Sequence, residues 1–290
     1  MQWDRVSLVA ARNLAANIAL VGLKAVTALV TGSTALLAEA VHSGADVLAS
    51  SGILVSARFA SRPPDHSHPY GHGKVEFVAT AAVAALLAAI TYGLVGEAWA
   101  ALIAPDSSIP GAGALWVALV CLAVKEGLYR LTLRAADRLS STMLKADAWH
   151  HRADALILSG VTLGIAGSRL GLPALDPLAA MAIAVLLGVL AVKFAAQALD
   201  GLMDASPQQD VLAALTEAAR GVAGVGRIDS LRARRYGASL QVDLRITVDA
   251  EATVAEGHAV AEAVQQSLKA AVPNVGAVLI HVDPSRQAAS

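Results

Sequence analysis

Two stretches of this chain repeat one ionisable pattern in apolar surroundings. Ala38-Glu39-Ala40-Val41-His42-Ser43-Gly44-Ala45-Asp46 and Ala146-Asp147-Ala148-Trp149-His150-His151-Arg152-Ala153-Asp154 both read A-acid-A-x-H-x-x-A-D. His42 and Asp46 are four apart, as are His150 and Asp154. On a helix such side chains share a face, with Cβ atoms roughly 5–6 Å apart. Two such helices set face to face would bring two imidazoles and two carboxylates to one point. That donor set suits a borderline dication in four-coordinate geometry, and Zn2+ is the best match. Fe2+, Co2+, Ni2+, Cd2+ and Mn2+ are the alternatives, because geometry and availability decide selectivity more than raw affinity does. A local polar contact would account for one His–Asp pair. Two copies with matched flanks favour a site, since an idle charge is costly in a bilayer.

The elements that must position these residues follow from composition. Of 290 residues, 56% are hydrophobic and only 16% charged, with a mean hydropathy of +0.58. That is too apolar for an ordinary soluble domain. Six apolar runs, about 8–30, 34–57, 77–104, 112–133, 143–166 and 174–199, each approach the ~20 residues that cross a bilayer. Pro105-Asp106-Ser107-Ser108 closes the third. Arg5 and Arg12 precede a first run that continues as a span, so no cleaved leader is expected. The sequence predicts a six-helix transmembrane bundle over 1–204 and a cytoplasmic α+β domain over 205–290.

Lys and Arg at the span ends set the expected orientation. Arg58, Arg62 and Lys74 lie between spans two and three; Arg130, Arg134, Arg138 and Lys145 lie between four and five. Those loops belong in the cytoplasm, as then do both termini. Spans two and five run in opposite senses, so the twin motifs form an inverted repeat of the kind that builds transporter sites. Glu39 and Asp147, one turn from each histidine, are expected on the approaches from the two faces. Lys24, Lys125 and Lys193 are expected to snorkel to the interface, and His151 is read as a neighbour of the site.

The tail after Asp204 is more polar. Pro207–Arg220 has helical periodicity, and Arg227–Arg235 and Ala238–Val248 read as strands. Leu240, Val242, Leu244, Ile246 and Val248 alternate with polar residues, giving one dry face. Thr253–Ala271 is an amphipathic helix and Ala277–Val282 a third strand, an αββαβ order.

Other residues carry possible chemistry. Asp65, His66, His68 and His72 crowd one loop and are candidates for a second cation. In the tail, His281 and Asp283 lie on one strand and Asp243 on another, with Asp229 and His258 as further candidates; a polar sheet face would equally explain them. Cys121 is a lone thiol in an apolar run and cannot form an intramolecular disulfide. The formal net charge of −1 and the lack of a basic patch exclude a nucleic-acid partner. Nothing calls for an organic cofactor.

Taken together, Thr31-Gly32-Ser33, the His42/Asp46 motif, Tyr70-Gly71-His72-Gly73-Lys74-x-Glu76, Ala146-Asp147-Ala148-Trp149-His150, Asp176-Pro177, Leu202-Met203-Asp204 and His281-Val282-Asp283-Pro284 resemble the cation diffusion facilitator family of metal–proton antiporters. The resemblance spans nearly the whole chain. It implies a homodimer in the lipid bilayer with six spans per protomer, a ferredoxin-like cytoplasmic domain, and a transport site of His42, Asp46, His150 and Asp154. It also implies a loop site at Asp65, His68 and His72, and an interprotomer hinge salt bridge between Lys74 and Asp204. His281 and Asp283 resemble ligands of a binuclear tail site, with Asp243 and Asp229 where bacterial relatives often carry histidines.

The expectation is a non-enzymatic transporter in a prokaryotic inner membrane, carrying Zn2+ out against protons. An intramembrane metallohydrolase with Glu39 or Asp147 as base is the alternative from another class. A metal sensor acting through its tail is a third.

Overall fold

The structure, a computed structural model, describes residues 2–104, 109–139, 141–237 and 239–285, with the side chains at 2–7, 50, 53–55, 57, 142 and 143 outside that description. The expected break at Pro105–Ser108, the first residue of the second tail strand, Ala238, and the last five residues also lie outside it.

Six long helices come first: α1 Gln2–Thr31, α2 Thr34–Ala60, α3 Val75–Ile103, α4 Ala112–Arg138, α5 Thr142–Arg169 and α6 Leu175–Leu202. Within α1, Leu8–Thr31 is long and apolar enough to cross a membrane, and so are α3, α4 and α6. The other two, α2 and α5, reach the same length, 27 and 28 residues. These two carry the twin motifs. The apolar runs underestimate the helices, since the backbone continues through polar residues at the ends; α4, for example, extends to Arg138.

The chain divides into two compact units, one of residues 1–52 with 82–195 and one of 53–81 with 196–290. In the first, small side chains face inward: Ala28, Ala35, Ala38, Ala98, Ala114, Ala118, Ala180 and Ala184 are buried beside Leu36, Leu87, Leu158 and Leu187. Large apolar groups such as Val30, Trp99, Trp116 and Leu163 face outward. This is the pattern of a bundle in lipid, where no hydrophobic drive separates inside from outside and close backbone approach does the packing. At Gly164 a Cβ would lie 2.9 Å from the Leu175 carbonyl oxygen, so only glycine lets α5 and α6 meet there.

Polar links tie the bundle together. Asp176, in the first turn of α6, is fully buried and caps the start of α2. Its Oδ2 accepts from the Thr34 N–H (2.8 Å), the Thr34 hydroxyl (2.8 Å) and the Ala35 N–H (3.2 Å), and its Oδ1 accepts from the Ser33 hydroxyl (2.7 Å). Helix N-termini leave backbone donors unpaired, and here a neighbouring helix supplies the acceptor. Cys121 is buried and free.

The second unit holds the tail: α7 Gln209–Arg220, β1 Arg227–Tyr236, β2 Ser239–Val248, α8 Val254–Ala271 and β3 Val275–Pro284. This αββαβ, ferredoxin-like domain has sheet order β1-β2-β3. The first pair is antiparallel and the second parallel, so α8 is the crossover. Val242, Leu244, Ile246 and Val248 meet Leu215, Val264 and Leu268 in one core. A capping box between Thr253 and Glu256 starts α8.

Candidate metal centre

Within the first unit, α2 and α5 present their twin motifs to one another. His42 Nε2 lies 3.8 Å from Asp46 Oδ2, His150 Nε2 lies 3.7 Å from the same oxygen, and His150 Nε2 lies 3.8 Å from Asp154 Oδ2. Ligand atoms about 2.0–2.2 Å from a tetrahedral zinc stand about 3.3–3.6 Å apart. The observed spacings are therefore within a few tenths of an ångström of a bound arrangement. Atoms of His42, Asp46 and Asp154 all fall within 4.8 Å of one another. His150 joins them through the two carboxylates. His42 and Asp154 are buried, whereas the His150 side chain is 47% exposed, so the cluster is open on the His150 side.

The surrounding charges differ from the expectation. Lys24 and Lys125 do not snorkel; both are buried. Lys24 Nζ forms an ion pair with Glu39 and donates to Ser43 Oγ at 2.7 Å. Lys125 Nζ donates to Asp154 Oδ2 at 2.6 Å and to Asn17 Oδ1 at 2.8 Å. A buried charge needs a partner, and each lysine has found one. Glu39 is consequently no acid on an open approach: its side chain is wholly buried and paired with Lys24. Asp147 is one-third exposed, accepts from Asn13 Nδ2 at 2.7 Å, and lies 3.7 Å from the Nε2 of buried His151. The two motifs match in sequence, yet the lysine neutralises the outer acid in the first and the site carboxylate in the second. Hydropathy gave no sign of Lys125, Asn17 or Lys24 as partners; ionisable residues deep in apolar runs were the available signal.

The second unit carries the loop cluster. Asp65 Oδ1 accepts the N–H groups of His68 (2.7 Å) and Ser67 (2.9 Å), while its Oδ2 lies 3.4 Å from His72 Nε2. These backbone donors, chiefly that of His68, hold the Asp65 carboxyl below the usual range. The His68 and His72 ring centroids are 4.4 Å apart, and the three residues can share one ion. Lys74 Nζ meets Asp204 Oδ1 at 3.1 Å, and Arg234 Nη1 meets Asp204 Oδ2 at 3.2 Å. Lys74 and Asp204, which the resemblance pairs at the hinge, are thus in contact within the single chain. Asp204 has φ +58°, an uncommon conformation that turns the carboxylate back toward both cations.

Of the tail candidates, His281 and Asp283 meet directly. Asp283 is ion-paired with Arg245, which holds its carboxyl below the usual range. His281 Nε2 is 3.1 Å from Asp283. Asp229, at a bulge in β1, pairs with Arg227 at 2.7 Å. His258 pairs with Glu262 on its own helix at 3.4 Å. Asp243 sits exposed opposite Arg232. Among the described residues, no group of three ligands forms in the tail. Arginines pair with two of these carboxylates, Asp283 and Asp229.

A helical membrane bundle with an internal His/Asp cluster, joined to an α+β tail, defines an integral membrane protein of the metal-handling class. The family model for the cation efflux transmembrane domain matches residues 10–203, and that for the cation efflux protein cytoplasmic domain matches 207–285. The chain belongs to the cation efflux, or cation diffusion facilitator, family of metal efflux transporters.

It is 37% identical over 290 residues to Metal tolerance protein C1 of Arabidopsis thaliana, with 94% of this chain aligned to 61% of that protein, so it spans less than two thirds of that relative's length. It is 31% identical to the Manganese efflux system protein MneP of Bacillus subtilis, covering 97% of this chain and 95% of that one. Magnetosome protein MamM of Magnetospirillum gryphiswaldense is 36% identical over 88% of this chain and 81% of its own. A solved MamM CTD in a nickel form matches 27% of this chain and all of its own, at 30% identity and a TM-score of 0.27.

Proposed function

We propose that the protein exports Zn2+ from the cytoplasm in exchange for protons, by alternating access around His42, Asp46, His150 and Asp154. The observation that carries this reading is the approach of Asp46 and Asp154 on opposing helices to the same imidazole, His150. Two imidazoles with two carboxylates favour zinc over harder ions. An imidazole binds metal only when deprotonated, so protons compete for His42 and His150. Near-neutral pH on the cytoplasmic side loads the site, and protons on the other side discharge it. The charged groups that set this competition are Asp46, Asp154 and Lys125.

The reading includes a homodimer in a prokaryotic inner membrane, with residues 1–204 as the membrane domain, 205–290 as the cytoplasmic domain and both termini inside. It also assigns a second cation to Asp65, His68 and His72. The chain acts as a transporter and not as an enzyme. Glu39, one of the two bases a metallohydrolase could use, is engaged by Lys24, which counts against that half of the alternative and leaves Asp147 as its only candidate base.

The test is uptake of Zn2+ into proteoliposomes. Asp46→Ala and Asp154→Ala are expected to abolish uptake while the protein keeps its helical circular dichroism. Undiminished uptake by either variant would defeat the assignment. MneP is named for manganese efflux, so Mn2+ belongs in the same assay as a competitor, along with Fe2+, Co2+, Ni2+ and Cd2+. If Mn2+ outcompetes Zn2+, the zinc assignment falls and the site assignment stands.

A further inference from the structure

Asp154 serves two masters in this fold. It stands among the candidate ligands, 3.8 Å from His150, and the same oxygen, Oδ2, accepts a 2.6 Å hydrogen bond from the Lys125 ammonium. Both side chains are 3% exposed, so solvent does not dilute the contact. Among the described residues Lys125 has one further hydrogen-bond partner, Asn17 Oδ1, at 2.8 Å. The first motif differs: its lysine, Lys24, is committed to Glu39 and Ser43, and Asp46 faces only imidazoles at ion-pair range among the described residues.

A dication that takes Asp154 as a ligand meets a cation already on that carboxylate. Two positive charges on one oxygen repel, and the low dielectric of a buried site strengthens the repulsion. Lys125 keeps a hydrogen-bond acceptor when Asp154 is taken, because its ammonium already donates to Asn17 Oδ1.

Resting on the transport-site reading above, we infer that Lys125 is a tethered competitor for the metal. Its ammonium holds Asp154 until the dication displaces it onto Asn17, and it returns to Asp154 as the metal leaves. Lys125 then acts through Asp154 as a positioning residue. It weakens metal binding and speeds release, which a transporter needs when its site must empty on the far side. A static orienting role would have the opposite sign, since loss of the lysine would loosen Asp154 and weaken binding.

The experiment measures Zn2+ binding by the full chain in nanodiscs, and the KM and kcat of Zn2+ uptake in proteoliposomes. Lys125→Met removes the charge and keeps the length. It is expected to tighten Zn2+ binding by roughly tenfold or more, lower KM and lower kcat. Lys125→Arg keeps a permanent cation and is expected to retain affinity near that of the unaltered chain. Unchanged or weaker binding in Lys125→Met overturns the inference, as does tightening of equal size in Lys125→Arg.

Should Lys125→Met fail to fold, Asn17→Ala decides. It removes the ammonium's second holder, so binding is expected to weaken several-fold, and unchanged or tighter binding overturns the inference. Asp46→Ala, which does not touch Lys125, separates the two levels. If it leaves Zn2+ binding intact, the site itself is misassigned. If it abolishes binding while Lys125→Met fails to tighten it, only the role of the lysine falls.

Discussion

The Asp46 carboxylate on α2 faces the His150 imidazole on α5 at 3.7 Å, which joins the two halves of the sequence repeat in one cluster. Asp46 is also 3.8 Å from His42 on its own helix, so it is the residue through which both imidazoles communicate. Asp46→Asn keeps the shape and removes the charge. Changes in the partners of metal ligands commonly cost about 10–100-fold in affinity, and loss of a ligand charge should cost at least that. Zn2+ binding by the full chain in nanodiscs should weaken accordingly; a Kd within threefold of the parent would show that Asp46 is not a ligand.

Asp176 holds the start of α2 through Ser33, Thr34 and Ala35. In Asp176→Ala those buried donors lose their acceptor. Each orphaned donor costs about 1–3 kcal/mol, so a destabilisation on the order of 3 kcal/mol is expected. Thermal unfolding of the purified protein reads it. A melting temperature unchanged within error would mean that the clamp contributes nothing.

Tyr236, at the turn between β1 and β2, donates its hydroxyl to the Gly71 carbonyl at 2.5 Å. A Cβ at Gly73 would overlap the Tyr236 ring and lie 3.1 Å from its backbone carbonyl carbon. Gly73→Ala should therefore detach the loop that carries His68 and His72 from the hairpin. Tyr236→Phe removes only the hydrogen bond, worth about 1 kcal/mol. Hydrogen exchange across residues 62–74 should accelerate strongly in the first variant and modestly in the second. Equal protection in both would exclude the docking role.

Acid should loosen the same loop by a separate route. Backbone donors keep the Asp65 carboxyl below its ordinary value. A carboxyl depressed in the folded state adds stability that is fully present above the unfolded value, about 3.9. That stability drains away as pH falls through the lower folded value. Exchange protection at Ser67 and His68 should hold at pH 6 and fall below pH 4. Asp65→Asn should lack the acid step, and an identical pH profile in that variant would rule Asp65 out as its source.

In the tail, Arg245 occupies Asp283 and Arg227 occupies Asp229. Arg245→Ala frees the pair His281 and Asp283 for a metal. Full-length protein lacking the transport ligands, Asp46→Ala with Asp154→Ala, should then bind Zn2+ more tightly with Arg245→Ala than without it. Equal binding with and without the arginine would show that the guanidinium does not guard those residues.

The sequence by itself determined the six long helices, the αββαβ tail and the identity of the four clustered His and Asp side chains. Period and hydropathy set secondary structure, and an i, i+4 pair shares a helix face wherever that helix packs. The loop triad was legible for a similar reason: Asp65, His68 and His72 are so close in sequence that a single turn gathers them.

Tertiary structure alone decided what neutralises each acid. Lys125 is 29 residues from Asp154 and Asn17 is 108 residues from Lys125, and no local spacing predicts such partners. Glu39 and Asp147 occupy the same motif position, yet one is sealed by a lysine and the other is partly open, because α1 brings Lys24 to Glu39 but Asn13 to Asp147. The arginine that pairs with Asp283, Arg245, lies on a different strand, so no local spacing shows it. Ligand type is a local property of the chain; the charge opposite each ligand is set by which helices and strands pack together.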